Sequence, residues 1–258
     1  MFKIEVSNGV ATVVLERPPV NAINRQWAAR FHELLDQLER RDDWNVLHIR
    51  SALRIFSAGA DIKEMQTVFN QGGDVGALVS GVRDYQRLFA RIENLPRITL
   101  AEIGGSAMGG GFELALSCDL RIVADEARVG LPEIRLGLLP GAGGTQRLTR
   151  LCGRATALRI IAGAKIVDGQ AAVQLGMAHW NFPLNRLREE GDKIARHYAG
   201  QHGLAGRLAK NCINAATNPV SAQGLDLEYE GSKTLLESAE SQALIKKFLA
   251  GRKSNDLE

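Results

Sequence analysis

The hydrophobic pattern in the first half of the chain predicts alternating strands and helices. Asn8-Gly9 separates two strand-like segments and indicates a hairpin, because Asn-Gly readily adopts the positive φ angles of tight turns. Asn24 is a suitable N-cap for a helix whose apolar face carries Trp27 and Phe31. A long helix is predicted from Asp74 to Glu93. The predicted strands are Phe2–Val6, Val10–Leu15, Val46–Ile49, Ile98–Ile103 and Cys118–Ala124.

The second half of the chain has mostly helical periodicity. Asp168 is placed to cap one of its helices, and Pro219 separates two others. The sequence therefore predicts an α/β core over residues 1–195, followed by a C-terminal helical region over residues 196–258. The helices predicted in this half are 145–151, 154–162, 168–175, 187–201, 204–217, 221–237 and 239–249.

A glycine-rich loop lies between the strand that begins at Ile98 and the strand that ends at Ala124. It contains Gly109–Gly111 immediately before a helix-compatible segment, and Glu113 falls in the first turn of that helix. Consecutive glycines let a backbone approach a ligand closely, and N–H groups at a helix start lack intrahelical partners. The loop therefore suits an anion or oxyanion. A tight turn with a stabilising first-turn glutamate is an equally good interpretation of this stretch alone.

The spacing of this loop excludes two familiar nucleotide-binding patterns. A P-loop requires Lys and then Ser or Thr after its last glycine, whereas Gly110 and Gly111 follow Gly109 here. The dinucleotide pattern G-x-G-x-x-G does not occur in the loop. If the loop binds a ligand group, an oxyanion is favoured over a nucleotide phosphate.

Composition narrows the class of protein. The 258 residues, 45% of them hydrophobic and 24% charged, suit one large globular domain or a domain with an appendage. The net charge of +3 gives no reason to expect nucleic-acid binding, and no apolar run approaches the ~20 residues of a membrane span. The N-terminus shows no signal-peptide pattern. Cys118, Cys152 and Cys212 have no metal-binding spacing and predict free thiols in a reducing compartment, hence a cytoplasmic location.

Two glutamates are candidates for acid–base chemistry. Glu113 follows the glycine-rich helix start, where the helix dipole favours its ionised form. Glu133 has apolar sequence neighbours, which would raise its pKa if they also surround it in space. Carboxyl groups in such different environments can act as a base and an acid. The small-residue loop Ala58–Asp61 is a second possible source of backbone N–H donors, although a plain turn is the better interpretation of this loop alone.

Four sequence segments resemble the enoyl-CoA hydratase/isomerase (crotonase) family. They are F-S-A-G-A-D-I-K-E-M at 56–65, G-x-A-x-G-G-G-x-E-L-A at 105–115, C-D-L-R-I-V-A at 118–124, and L-P-E-I-x-L-G-x-x-P-G-A-G-G-T-Q-R-L at 131–148. The resemblance covers essentially the full chain. It implies a spiral of repeated ββα units with a C-terminal helical trimerisation region, and acyl-CoA thioesters as substrates.

The resemblance also implies roles for individual residues. The N–H groups of Ala60 and Gly110 would hold the thioester oxygen, and Glu113 and Glu133 would flank a water molecule. Gly141 would help to position that water. Coenzyme A would lie against Ala58, Asp61 and Ile62 and would be part of the substrate, so no separate cofactor and no metal ion is expected.

The chain departs from the family pattern at two places. Ile103-Gly104-Gly105 replaces the usual V-N-G, a turn change. Gly251 stands where a lysine usually reaches a CoA phosphate, so that contact would fall to Arg252 or Lys253.

The glutamate pair favours a 2-enoyl-CoA hydratase among the members of this family. An enoyl-CoA isomerase, which needs only Glu133, is the first alternative, followed by other acyl-CoA-processing members. A non-catalytic acyl-CoA-binding or RNA-binding member is the alternative of another class. The pocket for the acyl group is expected within residues 63–85. The sequence does not give the length of the acyl chain.

The family resemblance implies a homotrimer or a hexamer built as a dimer of trimers. Apolar stripes on the predicted C-terminal helices point the same way, because one helical layer is not expected to bury all of them on its own subunit. A tail folded back onto a monomer is the alternative. The stripes contain Leu204, Leu208, Cys212 and Ala215, and Leu244, Ile245, Phe248 and Leu249.

Overall fold

A mostly parallel sheet forms the centre of the protein. The structure is a computed structural model that describes residues 1–201, 203–217 and 222–255. Its strands are β1 (Phe2–Ser7), β2 (Gly9–Leu15), β3 (Trp44–Ser51), β4 (Ile98–Ile103), β5 (Ala107–Met108), β6 (Leu120–Ala124), β7 (Val129–Gly130) and β8 (Trp180–Phe182). Six of these pair in the order β1-β2-β3-β4-β6-β8, and β5 and β7 form a separate parallel pair. Only β1 and β2 are antiparallel within the larger sheet, as expected for a hairpin.

Helices surround the sheet and continue into the C-terminal region. They are α1 (Arg25–Glu39), α2 (Ile62–Asn70), α3 (Val75–Glu93), α4 (Gly110–Ser117), α5 (Gly144–Ile161), α6 (Gly169–Gln174), α7 (Leu184–Ala199), α8 (Gly203–Thr217), α9 (Ala222–Glu237) and α10 (Ala239–Asn255), with a 3-10 helix at Glu133–Leu136. Non-helical φ and ψ angles at Gly153 interrupt α5, in agreement with the two helices predicted there. Within the described ranges, no helix combines the length and apolarity needed to cross a bilayer.

Both predicted helix caps are confirmed. Asn24 Oδ1 accepts a hydrogen bond from the Trp27 N–H at 2.9 Å, and Asp168 Oδ1 accepts one from the Ala171 N–H at 2.8 Å. Such caps satisfy N–H groups that have no partner within the helix. Trp27 begins the buried face of α1 and stacks on Phe31 with 5.0 Å between ring centroids, so this cap also positions part of the core.

Several predicted boundaries differ from those in the structure. Strand β6 begins at Leu120 rather than Cys118, because Cys118 ends α4 as its C-cap. Helix α7 begins at Leu184, directly after Pro183, rather than at residue 187. The division between residues 195 and 196 therefore falls inside α7, which packs across β2, β3, β4 and β6.

The C-terminal helices fold back over their own chain. Helix α9 packs along α3, while α10 contacts α2 and the 3-10 helix. Of the apolar residues predicted to form stripes on these helices, Ile245 and Leu249 are buried within this chain. Leu208, by contrast, is 56% exposed, and Phe248 is also at the surface. The side chains of Leu204, Cys212 and Ala215 lie outside the part that the structure describes.

Candidate active site

The loop Ala58–Asp61 packs backbone to backbone against the start of α4. Gly59 has a φ of +88°, and a Cβ there would lie 2.6 Å from the Met108 carbonyl oxygen and 3.0 Å from the Gly110 nitrogen. Only glycine fits such an approach. Ile23 fixes the loop from the other side, since its N–H donates to the Gly59 carbonyl and its carbonyl accepts from the Asp61 N–H.

This packing brings together the two N–H groups predicted to face a ligand. A Cβ built on Gly110 would lie 3.5 Å from the Ala60 nitrogen, and both residues are partly exposed. Among the described residues, neither the Ala60 N–H nor the Gly110 N–H has a hydrogen-bond acceptor. Gly110 is the first residue of α4, where an N–H has no intrahelical partner. Two N–H donors this close together can stabilise one oxygen atom that carries negative charge.

Glu113 lies in the first turn of α4, as predicted, and is 3% exposed. Its Oε2 would be 3.8 Å from a Cβ on Gly110, which places the carboxylate beside the N–H pair. Its Oε1 accepts hydrogen bonds from the N–H groups of Ala142 and Gly144, both at 2.8 Å. Two backbone donors on one oxygen stabilise a carboxylate and fix its orientation.

Glu133 borders the same turn at the neighbouring residue, Gly109. A Cβ on Gly109, whose φ is +52°, would lie only 2.9 Å from Glu133 Oε1. The β5–β7 pairing sets this distance, because the Gly109 N–H donates to the Gly130 carbonyl three residues before Glu133. Both glutamates therefore lie beside the Gly109-Gly110 segment.

The apolar sequence neighbours of Glu133 differ in burial. Leu131 is buried, whereas Ile134 is 47% exposed. The 3-10 helix turns Ile134 outwards, while Gly137 ends that helix in a left-handed conformation.

Gly141 lies in the loop Pro140–Gly144, which holds the Glu113 carboxylate through its N–H groups. Its carbonyl accepts a hydrogen bond from Gln86 Nε2 at 2.8 Å, and a Cβ on Gly141 would lie 2.6 Å from Ser232 Oγ of α9. The next carbonyl, that of Ala142, accepts from Arg147 Nη1 at 2.9 Å. The loop is therefore held on two successive peptides and covered by the C-terminal helices.

The residues predicted to contact coenzyme A lie beside the N–H pair. The Asp61 carboxylate pairs with Arg17 Nη2 at 2.7 Å and caps α2 through the Glu64 N–H. The Ala58 N–H donates to the Val20 carbonyl. Ala58 and Ile62 are both partly exposed. Arg252 and Lys253 are the alternatives to the lysine that Gly251 replaces. Their side chains are not among those that the structure describes.

A cavity of about 40 Å³ adjoins Ala60 between α2 and α3. Burial raises the pKa of Glu64, with a smaller contribution from the Asp61 carboxylate. Burial also raises the pKa of the Tyr85 phenol well above its usual value, so the phenol stays protonated. Most of the lining comes from the segment 63–85 in which the acyl pocket was expected, namely Glu64, Met65, Ala77, Leu78, Gly81, Val82 and Tyr85.

A second cluster of titratable groups lies between the sheet and α7. One possible ligand atom from each of His48, Glu102 and Asp192 lies within 4.8 Å of the others, a spacing that a metal ion would need. Arg188 Nε contacts Glu102 Oε1, however, and Arg50 Nη1 contacts Asp192 Oδ1, each at 3.2 Å. Both carboxylates are therefore neutralised by arginines, and the charge balance of the cluster requires no metal ion.

Sequence reasoning missed the residues that hold the loop around Glu113. Gln86 and Arg147 belong to helices that the sequence predicted without assigning a role to either residue, and both are buried. A buried polar residue within an apolar stripe was the available signal, because such groups need hydrogen-bond partners.

Comparison with known proteins gives a family match over nearly the whole chain. The family described as Enoyl-CoA hydratase/isomerase matches residues 5–255. A Bacillus subtilis (strain 168) protein named "Probable enoyl-CoA hydratase" is 39% identical over 262 residues, covering 98% of this chain and 96% of that protein. "Enoyl-CoA isomerase/hydratase fer4" of Mycosarcoma maydis is 34% identical over 255 residues, covering 95% of this chain and 91% of that protein.

A solved structure gives the same result for the fold. The enoyl-CoA hydratase of Bacillus anthracis superimposes with a TM-score of 0.78 at 30% sequence identity, covering 92% of each chain. The crotonase-like fold predicted from the sequence motifs is confirmed. On the full-length family match and these similarities, the chain belongs to the enoyl-CoA hydratase/isomerase family.

Proposed function

We propose that the protein is a 2-enoyl-CoA hydratase that adds water across the α,β double bond to give a 3-hydroxyacyl-CoA. The observation that carries this proposal is that two carboxylates, Glu113 and Glu133, lie beside the Gly109-Gly110 segment, which itself packs close to the Ala60 nitrogen. An acid and a base beside one oxyanion site suit the addition of water to a conjugated thioester.

Each group has one role in the reaction. The thioester oxygen accepts hydrogen bonds from Ala60 and Gly110, which stabilise the enolate as charge develops. Glu113 takes a proton from water, and the water oxygen bonds to Cβ. The electron pair of the double bond moves onto the thioester oxygen and then returns to bond Cα to a proton from Glu133. Proton exchange through solvent restores both glutamates.

The substrate itself contributes the coenzyme. Ala58, Asp61 and Ile62 lie beside the N–H pair, and we assign them to the binding of coenzyme A. Gly141 is assigned to positioning the attacking water, since it directly precedes Ala142, whose N–H group donates to Glu113. The reaction needs only the acyl-CoA and water, so no separate cofactor is required.

An enoyl-CoA isomerase is the second candidate, and the similarity to the isomerase/hydratase of Mycosarcoma maydis favours it. Moving a double bond requires proton transfer by one carboxylate, which Glu133 could perform alone. Incubation with crotonyl-CoA, a 2-enoyl thioester, separates the candidates. A hydratase removes the ultraviolet absorbance of the conjugated enoyl group, whereas a pure isomerase or an acyl-CoA-binding or RNA-binding protein forms no 3-hydroxy product.

We expect the cavity beside Ala60 to select short acyl groups. Its volume of about 40 Å³ is only a few times the roughly 10–15 Å³ that a cavity needs to hold one water, so a small group fits. Leu78→Ala should raise the kcat/KM ratio of 2-hexenoyl-CoA over crotonyl-CoA by about tenfold, since one methylene in an apolar pocket can contribute that much.

Leu151→Ala, at a partly exposed leucine of α5 away from the cavity, is the matched control and should leave the ratio unchanged. An unchanged ratio in Leu78→Ala, with the fold intact by circular dichroism, would show that the acyl chain lies elsewhere.

We also propose a homotrimer or a hexamer in solution. Leu208 and Ile213 of α8 are strongly exposed on the single chain, and large apolar side chains on a surface indicate association. Light scattering should return the mass of three or six chains. A single-chain mass at micromolar concentration, with full activity, would contradict the assembly.

A further inference from the structure

The loop that holds Glu113 is joined to α3 by one buried amide side chain. Gln86 is 2% exposed, and its Nε2 donates to the Gly141 carbonyl at 2.8 Å. The Gly141 carbonyl and the Ala142 N–H belong to the same peptide group, and that N–H donates to Glu113 Oε1 at 2.8 Å. Gln86 and Glu113 are therefore connected through a single peptide group.

Through this connection, Gln86 fixes the direction in which the Ala142 N–H points. A peptide group is planar, so fixing its carbonyl also fixes its N–H. A hydrogen bond accepted by the carbonyl polarises the peptide and strengthens donation by the N–H at its other end. Through this peptide group, Gln86 affects both the orientation of the Glu113 carboxylate and the stabilisation of its negative charge.

The orientation of the Gln86 amide is itself determined by a second contact. Arg83 Nη1 donates to Gln86 Oε1 at 3.1 Å, so the amide oxygen must face Arg83 and the NH₂ group must face Gly141. Arg83 is in turn held by the C-terminal helix α9. It forms an ion pair with Asp226 and lies 4.3 Å from the centroid of the Tyr229 ring.

We propose that Gln86 is a positioning residue for Glu113, and that the docking of α9 through Arg83 keeps Gln86 in its working orientation. The inference rests on the proposed hydratase function, in which Glu113 activates water. The competing explanation is that Gln86 merely satisfies a buried carbonyl, in which case its loss would affect stability and all activities alike.

The test compares two reactions that use the glutamates differently. Hydration of crotonyl-CoA requires Glu113, whereas exchange of an α-hydrogen of butyryl-CoA with deuterated water requires Glu133 and the N–H pair. Gln86→Met, which has a similar shape but no donor, should lower the hydration kcat by about tenfold, the size expected for one hydrogen bond. We expect KM and the α-hydrogen exchange rate to change by less than about twofold, a difference too small to register as the loss of one hydrogen bond.

Two further variants sharpen the result. Gln86→Glu keeps an acceptor for Arg83 but offers no N–H to Gly141 when ionised, so hydration should fall at least as far as in Gln86→Met. Arg87→Met is the matched control, because Arg87 is the next residue of α3, is exposed, and pairs with Asp84. It should leave hydration unchanged.

A structural measurement completes the experiment and does not depend on hydratase activity. Hydrogen exchange of the Ala142 and Gly144 amides, followed by NMR, should be faster in Gln86→Met than in the unmodified protein and in Arg87→Met. Equal losses of hydration and α-hydrogen exchange, full hydration in Gln86→Glu, or unchanged amide exchange would overturn the inference. If the unmodified protein hydrates no enoyl-CoA, the proposed function fails, and the amide exchange alone decides whether Gln86 positions the loop.

Discussion

Glu113→Gln and Glu133→Gln should each lower the turnover of crotonyl-CoA hydration by about 10²–10⁴-fold, the usual contribution of a general acid or base. Glutamine keeps the shape of each side chain but cannot take a proton from water or supply one to Cα. The Glu113 variant retains a carbonyl oxygen that can accept the N–H groups of Ala142 and Gly144, so its fold should be preserved. KM should change little.

Steady-state kinetics with each purified variant measure these losses. Glu126→Gln, at an exposed glutamate outside the site, serves as the control and should retain full activity. Full activity in either active-site variant would falsify the two-carboxylate mechanism. If Glu133→Gln is inactive while Glu113→Gln still moves double bonds between the 3 and 2 positions, the protein is an isomerase.

Gly110→Ala should reduce hydration by about 10²–10³-fold, an effect as large as that of removing one oxyanion-hole donor. The added methyl group would lie 3.5 Å from the Ala60 nitrogen and 3.7 Å from the Gly59 Cα. These are ordinary van der Waals separations, so the methyl group fits the protein but occupies the space beside the N–H pair. Turnover should therefore fall far more than stability.

Thermal unfolding and kinetics on the same preparation separate the two effects. Gly206→Ala is the control, because a Cβ at that helical glycine meets no atom within 4 Å. An acyl-CoA analogue whose thioester oxygen lay beyond hydrogen-bond reach of both Ala60 and Gly110 in a crystal structure would rule out the oxyanion site.

Local features of the fold could be predicted because they depend on neighbouring residues. Asn8 and Gly9 both adopt positive φ angles, as the hairpin signal required. Asn24 and Asp168 cap their helices because a short polar side chain reaches the N–H groups of the next turn. The position of Glu113 in the first turn of α4 could also be predicted from neighbouring residues, because consecutive glycines mark the start of that helix.

The assembly of the site could not be predicted from local pattern, because it depends on long-range contacts. Strand β5 lies inside the glycine loop and forms only by pairing with β7, and that pairing brings Glu133 to Gly109. The contact between Gln86 and Gly141 joins residues 55 positions apart. The return of α9 and α10 over their own chain likewise depends on which surfaces the folded core exposes.

The most direct test of the account is the product formed from crotonyl-CoA in ¹⁸O-labelled water. We expect loss of the enoyl absorbance together with a 3-hydroxybutyryl-CoA that carries one ¹⁸O atom at C3 by mass spectrometry, and almost no product with Glu113→Gln. Persistence of the enoyl absorbance with no labelled hydroxyacyl product, from protein that still binds crotonyl-CoA, would contradict the assignment as a hydratase.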